Sequence, residues 1–482
     1  MNAAECPDPH LLQQCIPLCI DLDGTLIRSD LLVESSIALL RRNPLYLLSF
    51  AVWLMRGKAH LKREIAERTS IDVATLPYES RLLDWLHGQP GRPRVLCTAS
   101  DRKFADAVAA HVGGFDEVLS SNGVCNLSGQ NKADALRRRF GERGFDYAGN
   151  AVRDLQVWSR ARRAIVVNAP AALALRAGQV TEVERVFERS GSSWRLWLRA
   201  MRLHQWLKNL LVFLPLLTAH LVLAPNAVLH STLAFFAFCL CASGVYLLND
   251  LLDLEADRQH PRKRLRPFAA GTLPLQAGLV AAPALTLAAF ALALSISKLF
   301  AVALAGYYVL TLAYSFGLKR IVMLETVILA GLYTVRIVAG TLALRIELSF
   351  WLLAFSMFLF LSLAMIKRYT ELHVLLRVGE SRSSGRGYSI DDLPLVQSLG
   401  SASGYLAVLV LALYINSTAS EALYRHPVVL WLLCPLLLYW ISRIWLIAHR
   451  GEMHDDPVVF AVSDQASRVL LVLAIAIVIG AI

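Results

Sequence analysis

Two groups of carboxylates in this sequence have the types and spacing of phosphate chemistry, and the first lies near the N-terminus. Asp21 and Asp23 follow an apolar run, residues 17–20, and precede Gly24 and Thr25. Two carboxylates just past a strand suit metal-assisted phosphoryl transfer, because one can attack phosphorus while the other handles the proton of the leaving group. An aspartate-rich turn is the alternative, but a turn does not require strand, aspartate pair, glycine and threonine in this order.

The second group of carboxylates leaves a long apolar run and comprises Asn249, Asp250, Asp253 and Asp257. On one continuous helix, positions 249, 253 and 257 share a face. Carboxylates stacked on one face repel each other unless a cation lies among them, and their hard oxygens suit Mg²⁺, which shares its shell with substrate phosphates. A solvated acidic helix end is the alternative, but it does not account for ionisable groups at membrane depth, where they are usually functional.

The composition places much of the chain in a lipid bilayer. Of its 482 residues, 56% are hydrophobic, and the mean hydropathy of +0.49 is well above the soluble norm. Since roughly 20 apolar residues cross a bilayer, the sequence predicts about nine transmembrane helices. These are residues 206–223, 229–248, 275–297, 299–316, 321–344, 350–366, 398–415, 428–447 and 466–482. The net charge of +11 does not indicate nucleic-acid binding, because the basic residues lie between apolar runs.

The basic loops predict the orientation of the protein. They follow the second, fourth and sixth predicted spans, so the positive-inside rule places them and the N-terminal domain on the cytoplasmic side of a bacterial-type plasma membrane. The N-terminal residues lack the basic and apolar regions of a signal peptide, which agrees with this side. The cysteines show no CxxC spacing and are expected to be reduced packing residues. Residues 45–55 form a shorter apolar run that is either an interfacial helix or a cap or core helix.

The first part of the chain is predicted to be an α/β domain covering residues 1–190. Strand-like runs at residues 17–20, 95–97 and 164–168 alternate with amphipathic helical stretches. A polar segment, residues 181–190, is predicted to be helical and to lead through residues 191–193 to an all-α membrane domain, residues 194–482.

The pattern NDxxDxxxD at the end of the second span resembles the first aspartate-rich motif of the UbiA superfamily of membrane transferases. The resemblance covers residues 194–482 and implies that Mg²⁺ and a substrate diphosphate bind at the mouth of a helical bundle. It implies catalytic roles for Asn249, Asp250, Asp253 and Asp257, with the three aspartates as metal ligands.

Several short runs resemble one branch of that superfamily, the decaprenyl-phosphate phosphoribosyltransferases. They are HQWLKN at 204–209, DRQHPRKRLRP at 257–267, KRYTEL at 367–372, RGYS at 386–389 and HDDPV at 454–458. The aromatic prenyltransferases of the superfamily carry a further aspartate pair after the sixth span, where this sequence has Lys367, Arg368 and Glu371. The resemblance therefore implies transfer of 5-phosphoribosyl from phosphoribosyl diphosphate to a polyprenyl phosphate.

The candidate residues for binding these anionic substrates are mostly basic. They are Lys208, Arg258, Arg262, Lys263, Arg264, Arg266, Lys367, Arg368, Glu371 and Tyr388. Arginine matches phosphate in a bidentate fork, although each basic residue alone also fits a role in topology or in contact with anionic lipid. Glu325 and Arg336 are expected to pair inside the bundle.

The N-terminal motif DLDGT resembles the haloacid dehalogenase (HAD) superfamily of phosphatases. That resemblance implies a hydroxyl at Thr98, a basic residue at Lys132 and a fourth motif ending at Asp154, with a cap at about residues 28–89. Asp21, Asp23 and Asp154 are its implied metal ligands for Mg²⁺. The fourth motif departs from the family at Asn150, where an aspartate is usual, and this puts the affinity for magnesium in doubt.

The fusion suggests that the phosphatase-like domain removes the 5-phosphate from the lipid product, since tethering raises the effective concentration of a dilute lipid. A regulatory or scaffolding role is the alternative for this domain. Two alternatives for the whole protein stay open: an aromatic or quinone-precursor prenyltransferase that uses a polyprenyl diphosphate, and an HAD phosphatase anchored by its bundle. Assembly into a homo-oligomer is also left open.

Overall fold

The computed structural model of the chain describes residues 16–189, 194–378, 387–453 and 456–482. By its internal contacts the chain divides into two compact units, Met1–Met201 with Leu247–Ala281, and Arg202–Tyr246 with Ala282–Ile482. The first unit therefore contains the predicted phosphatase domain together with the segment that carries the NDxxDxxxD motif. The predicted boundary at residues 191–193, Ser190 before it, and the motif residues Arg386, His454 and Asp455 lie outside the described residues.

A six-stranded parallel sheet organises the first unit. Its spatial order is β3-β2-β1-β4-β5-β6. The strands are β1 (Leu18–Ile20), β2 (Arg94–Asp101), β3 (Glu117–Ser121), β4 (Asp146–Gly149), β5 (Arg163–Val167) and β6 (Glu182–Phe187). Parallel strands joined by helical crossovers give a Rossmann-like layered domain, so the predicted α/β class is confirmed.

Helices alternate with the strands along the chain, and several of them pack on the two faces of this sheet. In chain order up to Ala200 the helices are α1 (Leu31–Arg42), α2 (Tyr46–Met55), α3 (Lys58–Arg68), α4 (Ser80–His87), α5 (Arg102–Val112), α6 (Gln130–Phe140), α7 (Leu155–Trp158), α8 (Ala171–Val180) and α9 (Trp194–Ala200). Successive strand side chains point to opposite faces, and accordingly Leu18 and Ile20 join one buried cluster while Cys19 joins the other. The near-continuous apolar sequence of β1 follows from burial on both sides.

The predicted helix at residues 181–190 is wrong, because Glu182–Phe187 forms the edge strand β6. The many charged residues of this segment favoured a polar helix in the sequence prediction. In the structure they form ion pairs at the sheet edge, where charges are common: Glu182 lies 3.1 Å from Arg163 and Glu184 lies 3.3 Å from Arg92.

Helices make up most of the rest of the chain, and many of them are long and apolar. In order they are a 3-10 helix (Leu203–Phe213), α10 (Leu214–Thr218), α11 (Pro225–Leu252), α12 (Leu254–Gln259), α13 (Leu275–Ile296), α14 (Lys298–Phe316), α15 (Leu324–Leu344), α16 (Phe350–Val378), α17 (Leu393–Ile415), α18 (Thr418–Leu423), α19 (Leu433–His449), α20 (Pro457–Ser463) and α21 (Gln465–Ala481). A 3-10 turn at Lys263–Leu265 follows α12, and a 3-10 helix at Pro427–Leu432 precedes α19.

Within the described residues, seven helices are long and apolar enough to cross a membrane, or eight if α20 and α21, bent by 80°, form one span. The protein is an integral membrane protein, but nine spans are not confirmed. The first predicted span, residues 206–223, divides into a 3-10 helix and the short α10. Apolar content alone could not predict this, since Lys208 and Asn209 are buried inside the segment and require polar partners.

Candidate functional site

The first candidate site lies at the carboxyl ends of the central strands. Strand β1 has β2 on one side and β4 on the other, and ligands bind at such a switch point in parallel sheets. Asp21 follows β1, and its Oδ1 accepts hydrogen bonds from the backbone N–H of Leu22 at 2.9 Å and from Lys132 Nζ at 2.8 Å. Lys132 is buried in the first turn of α6. The structure thus brings Asp21, one of the two predicted carboxylates, together with the predicted basic residue Lys132.

Asp23 is held by donors from two directions. Its Oδ1 accepts from the backbone N–H of Leu31 at 2.8 Å, and its Oδ2 accepts from Ser100 Oγ at 2.5 Å. Thr98, the predicted hydroxyl residue, is buried on β2 and accepts from the backbone N–H of Ser100 at 3.0 Å. Burial together with the nearby Asp30 raises the pKa of Asp23 to about 7. A carboxyl group that titrates near neutral pH suits a general acid or base.

Asp154 belongs to a buried network that reaches Lys132. Its Oδ2 accepts from the backbone N–H groups of Asn150 and Ala151 at 2.9 and 2.8 Å. Its Oδ1 accepts from the hydroxyl of Tyr147 at 3.1 Å, and that hydroxyl accepts from Lys132 Nζ at 2.9 Å. The loop after β4 is therefore linked to Asp21, in the loop after β1, through Tyr147 and Lys132.

Asn150 packs closely over the turn after β1. Gly24 has φ +76°, and a Cβ there would lie 1.9 Å from Asn150 Nδ2. Glycine is required at this position both for the left-handed backbone and for the approach of the amide. The residue that departs from the HAD pattern is thus at the site, with a side chain that carries no charge.

The carboxylate oxygens at and near Asp21 are of the chemical type that Mg²⁺ prefers. Burial raises the pKa of Asp21 above its usual value, and this outweighs the opposing effect of Lys132. A further positive charge would stabilise the ionised carboxylate, and Asp21, Asp23 and Asp154 offer oxygen ligands.

The NDxxDxxxD segment forms a second candidate site, in a different arrangement from the predicted one. Helix α11 ends at Leu252, and Asp253 has φ −102° and ψ 16° before α12 begins at Leu254. The continuous helix that was predicted is interrupted at the middle residue, although the backbone N–H groups of Asp253 and Asp257 still donate to the carbonyls of Asn249 and Asp253 at 2.9 and 2.8 Å. That Asn249, Asp253 and Asp257 share one face stays a prediction.

Arg266 brings Asp250 and Asp257 together. Its Nη1 lies 3.2 Å from Asp250 Oδ1 and 2.6 Å from Asp257 Oδ2, and both carboxylates are buried. Burial raises the pKa of Asp257 despite Arg266, so this pair also fits a further cation. Mg²⁺ is commonly held by one or two carboxylates plus substrate phosphates.

Two other residues of this segment contact helix α1. Asp253, whose side chain is 35% exposed, lies 3.5 Å from Arg41. Arg258 donates from Nη1 and Nη2 to the carboxylate of Glu34 at 2.8 and 2.7 Å, and from Nε to the carbonyl of Ala269 at 3.0 Å. These contacts use donors of Arg258 that were predicted to bind substrate. Arg262, Lys263 and Arg264 are exposed around the following 3-10 turn.

In the second unit, one carboxylate holds two of the predicted lysines. Asp456 Oδ2 accepts from Lys208 Nζ at 2.8 Å and from Lys367 Nζ at 3.0 Å. Burial alone would raise the pKa of Asp456, but Lys367 and Lys208 hold it well below its usual value. The cluster keeps an excess of positive charge, which suits an anionic ligand.

Arg368 is buried between two glutamates. Its Nε lies 2.6 Å from Glu325, and its Nη1 pairs with Glu371. The hydroxyl of Tyr388 lies 2.8 Å from that of Thr326, beside Glu325. Arg368 and Tyr388 are therefore buried around Glu325, while Glu371 pairs with Arg368 from a partly exposed position.

The predicted pair between Glu325 and Arg336 is not formed. Arg336 donates to Asn209 Oδ1 at 2.8 Å and to the hydroxyl of Tyr307 at 3.1 Å. Residues eleven positions apart lie roughly 16 Å apart along a helix, because each residue advances about 1.5 Å. The sequence prediction considered only that both residues lie on one face of the helix, and it neglected the distance between them along the helix axis.

No cluster of three or more His, Cys, Asp or Glu side chains suited to a metal ion is found within residues 16–189, 194–378, 387–453 and 456–482. Among the predicted ligands, Asp250 and Asp257 share Arg266, whereas Asp253 contacts Arg41; the metal-binding roles stay predictions.

Comparison with known proteins connects these features to a family. Residues 212–477 match the model of the UbiA prenyltransferase family. The chain belongs to this family. An uncharacterised protein, y4nM of Sinorhizobium fredii, is 37% identical over 471 residues, which are 97% of this chain and 91% of that protein. This UbiA-family chain is also 38% identical over 280 residues to the nodulation protein NoeC of Azorhizobium caulinodans, covering 56% and 88% of the two chains.

A relative with a named activity is similar over a shorter stretch. The decaprenyl-phosphate phosphoribosyltransferase of Mycobacterium tuberculosis is 36% identical over 215 residues, covering 43% of this UbiA-family chain and 70% of that protein. The predicted resemblance to the UbiA superfamily is thereby confirmed.

Sequence reasoning missed several residues of these sites. Ser100, Tyr147 and Glu34 are ordinary polar residues whose contacts depend on the fold, and nothing in their spacing marks them. Asp456 had a signal, because it lies in the HDDPV run that was quoted for the family resemblance.

Proposed function

We propose that this protein transfers 5-phosphoribosyl from phosphoribosyl diphosphate to a polyprenyl phosphate, and that its N-terminal domain removes the 5-phosphate of the product. The observation that carries the transferase proposal is the pair Lys208 and Lys367 on Asp456. In the aromatic enzymes of the resembled superfamily, the stretch after the sixth span carries aspartates. This chain has Lys367 there, beside Lys208 from the 3-10 helix Leu203–Phe213, and two lysines suit an acceptor that is itself a phosphate.

The acidic pair Asp250 and Asp257 is proposed to hold the diphosphate of the donor through Mg²⁺. When bound, the ion offsets charge as pyrophosphate leaves. The exposed cations Arg262, Lys263 and Arg264 then bind the separate 5-phosphate. In the transfer step an oxygen of the lipid phosphate attacks C1 of the ribose, and the bond from C1 to the diphosphate oxygen breaks.

Hydrolysis of the 5-phosphate is proposed to use the site at the sheet. Asp21 attacks phosphorus and the bond from phosphorus to O5 breaks, while Asp23 gives a proton to O5; water then hydrolyses the aspartyl-phosphate. Lys132 keeps Asp21 ionised and oriented. This assignment is supported by the hydrogen bond from Lys132 to Asp21 and by the link from Lys132 through Tyr147 to Asp154.

Helix α2 supports a substrate at the membrane surface. This apolar helix has no buried residue, and Leu47 and Leu48 are 63% and 73% exposed. Arg41, Arg42, Arg56 and Lys58 flank it. An exposed apolar helix with basic ends is typical of interfacial binding to anionic lipid, and it fits a phosphatase domain that works on a lipid-linked substrate.

The proposed transfer is tested with the full-length protein purified in detergent. It is incubated with MgCl₂, polyprenyl phosphate and phosphoribosyl diphosphate labelled with ¹⁴C in the ribose. Label is expected in the organic phase only when both the lipid and MgCl₂ are present. A parallel reaction supplies polyprenyl diphosphate and an aromatic acid. Prenylation of the aromatic acid with no ribose in the lipid would favour the aromatic prenyltransferase instead.

A further inference from the structure

A cavity of about 260 Å³ lies beside Asp23, and two distant parts of the chain form its walls. One wall belongs to the sheet site and includes Asp23, Gly24 and Asn150. The other wall comes from the segment between α12 and the first turn of α13 and includes Gly271, Thr272 and Gln276. The second wall is therefore supplied by the UbiA part of the sequence, within the same compact unit.

Close packing holds this second wall in place. Gly271 has φ +66°, and a Cβ there would lie 2.7 Å from Arg28 Cβ and 3.1 Å from the Arg28 carbonyl oxygen. Gln276 Nε2 donates to Asp30 Oδ2 at 3.0 Å, and Asp30 also caps α1 through its other oxygen. The segment thus contacts the chain that runs from Asp23 into α1.

A buried ion pair also holds α12, the helix that precedes this segment in the chain. Arg258 and Glu34 have side chains that are 5% and 6% exposed. Glu34 also accepts from Ser29 Oγ, and Ser29 lines the cavity. A contiguous set of contacts therefore runs from the NDxxDxxxD motif to the phosphatase-like site.

We propose that residues 271–276 are the specificity element of the phosphatase-like site. In this proposal the cavity takes a phosphomonoester whose polar, sugar-sized group contacts Thr272 and Gln276 while its phosphate lies at Asp21 and Asp23. A volume of about 260 Å³ is below the roughly 300–1,000 Å³ of sites for whole drug-sized ligands. It admits a headgroup, and a polyprenyl chain stays outside. Arg258 is a positioning residue that holds the segment, and it acts through Glu34.

This inference rests on the proposed phosphatase function, and the test separates the two. The full-length protein is assayed for phosphate release from ribose 5-phosphate and from acetyl phosphate, whose short acyl group does not reach the second wall. Gln276→Ala and Gly271→Val are compared with wild type. Gln259→Ala serves as the matched control, because Gln259 is an exposed glutamine on the same stretch of sequence and lies outside the cavity lining.

Gln276→Ala is expected to raise the KM for ribose 5-phosphate about tenfold, the scale of one lost polar contact. The kcat/KM of Gln276→Ala for acetyl phosphate should stay within about twofold of wild type. The control Gln259→Ala should stay within the same range for both ribose 5-phosphate and acetyl phosphate. Gly271→Val should act more strongly in the same direction. Equal losses with both substrates in Gln276→Ala, or no change with either, would overturn the inference.

If wild type releases phosphate from neither compound, the proposed phosphatase function fails, and binding decides the inference. Calorimetry then measures binding of ribose 5-phosphate to wild type and to Gln276→Ala. Binding that weakens about tenfold in Gln276→Ala keeps the segment as a recognition element. Binding that is equal in both proteins, or absent from wild type, rejects it.

Discussion

The ion pair between Arg258 and Glu34 makes a quantitative prediction about the segment that follows α12. Both side chains are nearly fully buried, so solvent does not screen them appreciably. Glu34→Leu leaves Arg258 as an unpaired buried charge, and Arg258→Met does the same to Glu34. Removing one partner of a buried pair costs about 3–5 kcal/mol.

The double variant is expected to be much less damaged than either single variant, because apolar replacement of both partners removes the unpaired charge. Two losses persist: Ser29 Oγ loses its acceptor, and the Ala269 carbonyl loses its donor, Arg258 Nε, at about 1 kcal/mol each. At about 1.36 kcal/mol per factor of ten, the single variants should favour local opening of the segment by roughly 10²- to 10⁴-fold, and the double variant by roughly 30-fold.

Hydrogen exchange of the full-length protein in detergent measures this opening. The reporters are the amides of Gly271, Thr272 and Leu273, which donate within the turn to the carbonyls of Phe268 and Pro267 at 2.9 to 3.1 Å. Glu67→Gln is the control, because its exposed pair with Arg63 should leave these amides unchanged. Unchanged exchange in both single variants, or a double variant as damaged as the two singles combined, would refute the reasoning.

Five other substitutions, arranged as three tests, separate chemistry from structure. Asp250→Ala should lower ribosyl transfer at least about 100-fold, whereas Asp253→Ala, at a partly exposed position, should lower it less. Equal losses in the two variants would instead support the prediction that Asp253 lies on one helical face with the other ligands. Lys367→Ala should raise the KM for polyprenyl phosphate and not that for the donor, while Arg368→Ala should lose folded protein by size exclusion, since it leaves a buried glutamate unpaired; the reverse pattern would exchange their roles. Asn150→Asp should lower the magnesium concentration needed for half-maximal phosphatase activity, because an amide becomes a charged ligand; an unchanged requirement would place Asn150 away from the metal.

Local sequence patterns predicted those parts of the fold that depend on local order. The apolar run before Asp21 became β1, and the aspartate pair followed it at the carboxyl end of the sheet as a strand ending predicts. Lys132, far away in sequence, was placed by motif resemblance, and the structure brings it within hydrogen-bond distance of Asp21. The long apolar runs became helices because a helix satisfies its backbone hydrogen bonds within one segment, as lipid requires.

Contacts between distant residues could not be predicted in the same way. Arg258 meets Glu34 across 224 positions, and Lys208 meets Asp456 across 248; neither spacing carries a local signal. The break at Asp253 was missed because a pattern of every fourth residue assumes an unbroken helix. The first predicted span failed because its buried polar residues were counted as tolerable interruptions in an apolar run.

The central claim is tested most directly by the ratio of two labels in the lipid product. Phosphoribosyl diphosphate carrying ¹⁴C in the ribose and ³²P in the 5-phosphate is incubated with the purified protein, MgCl₂ and polyprenyl phosphate, and the ratio of ³²P to ¹⁴C is measured in the organic phase. The account predicts ¹⁴C in the lipid with most of the ³²P lost in wild type, and equal retention of both labels in Asp21→Asn, which cannot form the aspartyl-phosphate. Absence of ¹⁴C from the lipid contradicts the transferase proposal, and full retention of ³²P in wild type contradicts the phosphatase step.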